Sequence, residues 1–218
     1  MKKLFYLLFA SLLLQSCFEI VEEVSLNKDG SGHFKYTVNF SQSASKIHAL
    51  LEEDEIDGFK VPTLQKIERD FKNYTSKSKR IVGLSNCKEE LDLEHFIFIF
   101  ECDFSDVKSL NSFTDSLRSM HDSEFTAANY FEYNETNKIF KRTGDDLIEK
   151  LNQKMTTSQR MIFNGASYTC LYRFFDEISE RVPSGINLSV NRRNTFHRLS
   201  MSAMIWNGKL INQEITLK

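Results

Sequence analysis

The sequence predicts an α+β fold: a mostly antiparallel sheet with helices packed on it. Three observations lead there. Apolar and polar residues alternate with period two in several short runs, most plainly where Phe34, Tyr36, Val38 and Phe40 interleave with Lys35, Thr37 and Asn39; such a run places one set on a buried face and the other in water. Between these runs lie segments with apolar residues at helical spacing, such as Leu64, Ile67, Phe71 and Tyr74. The two kinds of segment come in mixed order, and many connections are of hairpin length. With 19 Phe and only 2 Pro in 218 residues, the chain has the composition of an ordered protein with an aromatic core rather than of a disordered stalk.

The elements follow in order. Glu23 to Leu26 forms a strand that enters the turn Asn27-Lys28-Asp29-Gly30-Ser31-Gly32, where the Asp-Gly pair tolerates the positive φ that hairpin turns require. The alternating strand ends near Phe40, and a helix over 42–52 should turn Ile47, Leu50 and Leu51 inward. Residues 52–58 read as an exposed acidic loop. Pro62-Thr63 opens a second helix, and Lys77 to Arg80 is its basic exit. A strand over 82–88 precedes the strongest strand, His95 to Phe104. There Phe96, Phe98, Phe100, Cys102 and Phe104 share a face, with Ile97 and Ile99 on the other. Ser105 is the expected N-cap of a helix carrying Val107, Leu110, Phe113 and Leu117. A hairpin is expected from Phe131 to Phe140, turning through Asn134 to Asn137. A helix follows with Leu147, Leu151 and Met155 on one stripe. Strands at Tyr168 to Phe174, Ile186 to Val190, Thr195 to Ala203 and Ile211 to Leu217 close the chain.

Motifs for chemistry are sparse. The histidines His33, His48, His95, His121 and His197 show no i, i+4 pair, and no Cys-x-x-Cys occurs, so no metal site is expected. There is no Gly-x-Ser-x-Gly elbow. Asp29-Gly30-Ser31-Gly32 lacks the lysine of a phosphate loop and leads into a strand, so it reads as a turn. The net charge of −2 gives no electrostatic pull toward a nucleic-acid backbone. The expectation is a protein that is not an enzyme, has no cofactor and has no nucleic-acid partner.

The N-terminus carries the most specific pattern. Lys2 and Lys3 precede an uncharged apolar stretch, Leu4 to Leu14, roughly half the length of the ~20 apolar residues a membrane-spanning helix needs. It has the size of an exported protein's hydrophobic leader segment. The following Leu14-Gln15-Ser16-Cys17 resembles the lipobox of bacterial lipoproteins. That resemblance implies that residues 1–16 are a cleaved signal peptide and that residues 17–218 form one lipid-anchored domain. It also implies that Cys17 is the attachment site for diacylglyceryl and further acyl chains such as palmitate. Two or more chains give stable anchoring, at roughly 0.8 kcal/mol per buried methylene. Phe18 stands where a retention aspartate would hold some lipoproteins at an inner membrane, so the outer membrane of a diderm bacterium is the expected location. With Cys17 acylated, Cys87, Cys102 and Cys170 remain, and at least one has no partner within the chain. Export permits a disulfide without requiring one; the plain reading of these cysteines is as small buried hydrophobes.

The run CFEIVEEVSLNKDGSGHFKYTVNF, with its strand, D-G-S-G turn and aromatic strand, resembles the start of the LppM-like lipoprotein domain family. FIFIFECDFSDVKSL and the closing antiparallel ladder are similar to that group as well. The resemblance implies an α+β domain on a lipid anchor with a role in binding envelope lipids or glycolipids. It carries no catalytic residue across, and no segment after residue 17 reads as the C-terminal transmembrane helix that some members have.

The remaining signal is apolar. Phe34, Tyr36, Phe40, Phe96, Phe98, Phe100, Tyr168, Tyr172 and Phe174 would line one sheet face as a candidate apolar ligand face. Helices can cover that face completely, which leaves an ordinary core, or incompletely, which leaves a slot for an acyl chain or isoprenoid. The first expectation is a module that binds an apolar lipid or glycolipid of the cell envelope. The alternative is a structural protein that docks another envelope protein.

Overall fold

The computed structural model describes residues 18–56, 59–119, 129–144, 155–157, 160, 163–179, 182–207 and 211–218. β1 (Glu19–Leu26) and β2 (Gly32–Asn39) form the opening hairpin, with Glu19 opposite Asn39 and Leu26 opposite Gly32. Its turn works as the Asp-Gly pair suggests: Gly30 adopts φ +79°, and Asp29 Oδ1 accepts from the Ser31 amide at 3.1 Å. A 3₁₀ turn (Ser41–Ser43) leads into α1 (Ala44–Leu50). The short pair β3 (Glu55–Ile56) and β4 (Phe59–Lys60) precedes α2 (Leu64–Ser78), which Thr63 caps by accepting from the Lys66 amide at 3.2 Å. Then come β5 (Leu84–Asp92), β6 (Ile97–Phe104) and α3 (Val107–Ser119). The rest comprises β7 (Phe131–Asn134), β8 (Ile139–Arg142), β9 (Ser167–Phe174), β10 (Asn187–Leu188), β11 (Asn194–Ser200), α4 (Met201–Asn207) and β12 (Gln213–Thr216).

Seven strands form one sheet in the order β10-β11-β9-β1-β2-β6-β5. Every pairing in it is antiparallel except β1 with β9, so the expected α+β class with a mostly antiparallel sheet holds. Registers align Ile20, Val38, Phe98 and Tyr168 in one cross-strand row and Glu22, Tyr36, Phe100 and Cys170 in the next. Val24, Phe34, Cys102 and Tyr172 make the third row, all on the same face. That face is the inner one. Its β2-β6 half lies under α2 and α3: Phe71 meets Phe98 with ring centroids 5.6 Å apart, and Phe113 stacks on Phe100 at 5.3 Å. Its β1-β9 half lies under the smaller sheet, of order β12-β8-β7, where Phe140 touches Tyr172 at 5.2 Å and Phe174 at 5.3 Å. Asn111 ties α3 to the small sheet, donating to the Phe131 carbonyl and accepting from its amide, both at 2.8 Å.

Several expectations are corrected. The strong strand begins at Ile97, because His95 and Phe96 belong to the turn after β5 and Phe96 sits at φ +53°. The helix after it is capped by Asp106, whose Oδ1 accepts from the Ser109 amide at 2.7 Å, one residue later than Ser105. Leu50 is 49 % exposed rather than inward. Residues 201–203 belong to α4, since Met201, Met204 and Ile205 bury together at helical spacing. The last strand joins the small sheet rather than the closing ladder. Cys87 and Cys102 are joined in a disulfide across β5 and β6 instead of packing as separate thiols; Cys170 is the buried free cysteine. The helix expected around 147–155 lies almost wholly outside the described residues, as do Cys17 and His121.

Candidate functional site

On the β2-β6 half the two covering helices do not close completely over the sheet. A cavity of about 220 Å³ remains, lined by Tyr36 and Val38 of β2, Phe98 and Phe100 of β6, Phe71 and Tyr74 of α2, and Phe113 of α3. Alternation on β2 and β6 points four of these side chains up from the sheet, and the i, i+3 spacing of Phe71 and Tyr74 points two down from α2. Phe100, Tyr74 and Phe113 are buried, whereas Tyr36, Val38, Phe71 and Phe98 are half-buried, so the cavity has a solvent-facing side. The Tyr74 hydroxyl is its buried polar group, and burial pushes its pKa up to about 12, so it stays protonated. A wall of this chemistry accepts an apolar group by contact and shape and offers no nucleophile or base.

The nine aromatic residues of the expected ligand face divide into four groups. Tyr36, Phe98 and Phe100 line the cavity. Phe34 lies beneath it, against Phe100 and Phe113 at 6.0 and 4.3 Å, and Phe40 flanks it, 6.5 Å from Phe98. Tyr168, Tyr172 and Phe174 belong to the other half of the face, under the small sheet. Phe96 is not on the face: its positive φ swings the ring onto His48 of α1, at 4.8 Å.

A buried ion pair, which sequence reasoning missed, holds the second half of the face. Glu22 on β1 and Arg142 on β8 meet with both side chains under 10 % exposed. Arg142 Nε donates to Glu22 Oε1 at 2.9 Å and Nη2 to Oε2 at 2.8 Å. Tyr168 Oη donates to Oε2 at 2.8 Å and Tyr172 Oη to Oε1 at 2.6 Å, which fills the roughly four acceptor positions of a carboxylate. Arg142 Nη1 donates to the Thr143 carbonyl at 2.6 Å, and the guanidinium lies 4.6 Å from the centroid of Phe131. Burial pushes the Glu22 carboxyl pKa up, but the Arg142 charge and the hydrogen bonds from Arg142, Tyr172 and Tyr168 outweigh it and hold it below the ordinary value. Burial, then the neighbouring thiol and carboxylate charges, raise the Tyr172 hydroxyl far above its usual range, and burial pushes the Cys170 thiol up to about 12. With the carboxylate of Glu22 filled and all three guanidinium nitrogens of Arg142 donating, this cluster clamps the small sheet to the large one. The Tyr36 hydroxyl lies against Tyr168, so one residue lines the cavity and touches the clamp.

A signal for the pair was present. Glu22 is in phase with Val24 and Leu26, and Arg142 with Phe140, so each charge stood on the apolar side of its strand. Elsewhere the histidines are dispersed: His33 bonds Asp103, His95 bonds Asp92, His48 meets the Glu94 carbonyl, and His197 lies beside Gln213. Among the described residues, no group of three or more His, Cys, Asp or Glu is placed to hold a metal ion. No described helix is long and apolar enough to cross a membrane.

The fold and site together define an α+β domain whose seven-stranded sheet bears an apolar cavity over one half of its inner face and an ion-paired clamp over the other. No family model and no curated protein matches the chain. Among solved structures, the folded domain of the LppM protein of Mycobacterium tuberculosis, determined by NMR, is loosely similar. The TM-score is 0.41 and the identity 10 %, over 92 % of this chain and 91 % of that one. At that distance nothing about residues or ligands is carried across.

Proposed function

We propose that the protein is a lipoprotein, held by acylated Cys17 at the outer membrane of a diderm bacterium, that binds an apolar chain of an envelope lipid or glycolipid. The observation that carries this reading is the apolar cavity lined by Tyr36, Val38 and Phe98 on its sheet side. It is smaller than the roughly 300–1,000 Å³ of pockets that enclose a drug-sized ligand. Taking about 30 Å³ per water-sized group, it has room for roughly seven such groups. The ligand is therefore an acyl or isoprenoid end with its headgroup outside, and the protein is a binding module rather than an enzyme. The Cys87–Cys102 disulfide supports export, since such bonds persist in oxidising compartments and are rare in reducing ones.

Native mass spectrometry of the processed protein tests the binding. A stoichiometric lipid adduct is expected in the parent and is lost in Val38→Phe, which fills the cavity from β2. A clean apo mass in the parent would favour the alternative, a structural protein docking another envelope protein. The anchor is tested separately, by comparing radioactive palmitate incorporation between the parent and Cys17→Ala.

A further inference from the structure

The proposed anchor leaves no slack. Cys17 is one peptide from Phe18, which puts their Cα atoms about 3.8 Å apart. Phe18 is fixed in the fold: it is 7 % exposed, its ring meets Phe40 at 4.9 Å and Phe163 at 5.7 Å, and its carbonyl accepts from the Ser167 amide at 3.0 Å. Acyl chains on Cys17 would thus enter the bilayer within a few ångströms of this end of the large sheet. We infer that this end rests in the membrane interface, with the exposed side chains Trp206 and Leu50 inserted among the lipid headgroups.

The contacts leading outward from Phe18 place both residues there. On one flank, the Phe163 amide donates to the Arg160 carbonyl, and the Arg160 guanidinium lies 5.4 Å from the centroid of the Trp206 ring. Trp206 is on α4, whose first amide, that of Met201, donates to the Ala166 carbonyl next to Ser167, and it is 47 % exposed. On the other flank, the Phe40 amide donates to the Phe96 carbonyl, the Phe96 ring meets His48, and α1 ends in Leu50, 49 % exposed. Tryptophan, with an apolar body and one donor, is the side chain that favours the membrane–water boundary. An arginine over its face adds a cation at the level of the phosphates. The seat also sits beside the proposed cavity: Phe40 contacts both Phe18 and the cavity-lining Phe98. An acyl end passing from bilayer to cavity would have a short, apolar route.

Three of the four other exposed large apolar residues among the described ones supply an internal control: Val82, Phe175 and Val190 lie at the opposite end of the sheet, beyond the rows of Leu84, Phe174 and Asn194, while the fourth, Phe196, lies within β11. An eight-residue strand such as β1 puts roughly 26 Å between the two ends.

This inference rests on the lipid-anchor reading, and the test separates the two. The chain contains a single tryptophan, so its own fluorescence reports on the seat. The processed full chain is reconstituted into phosphatidylethanolamine–phosphatidylglycerol vesicles, with and without bromine on the upper acyl carbons. Mass spectrometry of the N-terminal peptide establishes the acylation of Cys17. Seating about 5–10 Å into the headgroup–acyl boundary predicts quenching of Trp206 by at least about twofold. The variant Trp206→Phe/Val190→Trp, which moves the reporter to the far end, should be unquenched. An acylated, vesicle-bound protein whose Trp206 emission ignores bromine, or whose far-end reporter is quenched equally, overturns the seating and leaves the anchor standing. A Cys17 without acyl chains overturns both.

Discussion

Replacing Arg142 with methionine should destabilise the fold by about 3–5 kcal/mol at neutral pH, the usual cost of removing one partner from a buried ion pair. The structure says why the cost is high. Methionine keeps the apolar stem against Phe131, but Glu22, 6 % exposed, retains only the hydroxyls of Tyr168 and Tyr172 as donors. Burial, the largest influence on the Glu22 carboxyl, then outweighs those two hydrogen bonds and lifts its pKa above the unfolded value. A raised folded-state pKa reverses the linkage: stability is fullest below the unfolded pKa and is lost as pH rises through the folded one. Arg142→Met should therefore gain stability between pH 8 and pH 5, a range over which this pair gives the parent no such gain. Glu22→Gln/Arg142→Met removes both charges and leaves an acceptor for a tyrosine, so it should recover about 1–3 kcal/mol of the loss, a clear coupling energy. Urea unfolding of the chain from Phe18 onward, followed by far-UV circular dichroism at several pH values, measures the parent, these two variants and Glu22→Gln alone. A loss under about 1 kcal/mol for Arg142→Met, or a pH dependence like the parent's, would refute the clamp.

Other outcomes follow from the same geometry. In the parent the Glu22 carboxyl pKa is depressed, so its contribution is complete above the ordinary carboxylate range and fades as pH falls through the lower folded-state value. Glu22→Gln should accordingly flatten the acid limb of a stability–pH curve while lowering the neutral plateau. Opening the Cys87–Cys102 bond, which closes a loop of sequence separation 15, should cost about 3 kcal/mol, read as a lower urea midpoint in reductant and in Cys87→Ser/Cys102→Ala alike. Gly32→Ala should cost about 1–3 kcal/mol or more, because its Cβ would fall 2.0 Å from the Ser25 carbonyl oxygen, a backbone atom of the paired strand that cannot move aside. Thermal unfolding of that variant is the check, and a melting temperature equal to the parent's would count against the β1-β2 register.

Much of the fold was legible because its strongest signals are local. The alternation in β2 and β6, the Asp29-Gly30 turn, the Thr63 cap and the Leu110–Phe113 stripe each depend on residues within a turn or strand of one another. The cavity was half legible: alternation put Tyr36, Phe98 and Phe100 on one face, but whether helices seal that face depends on packing distances that no periodicity encodes. The α4 segment was misread because Leu199, Met201 and Ala203 continue the β11 alternation, while Met204 and Ile205 satisfy helical spacing. Short apolar runs fit both periods. The clamp left a signal in each strand but not the pairing. Glu22 and Arg142 are 120 residues apart, and a lone charge on an apolar strand face looks like an exposed residue until its partner is known.

The parallel pairing of β1 with β9 bears on how the molecule is made. The first strand to be made finds its hairpin partner β2 at once, yet its other edge must await residues some 150 positions later, as the Arg173–Glu23 contact between them shows. Closing so large a loop comes late in assembly. A chain cut short before β9 would keep a central strand with an open rim, ready to pair with another copy. Completion of the C-terminal half, rather than arrival of the N-terminal half, is what makes this sheet safe from aggregation.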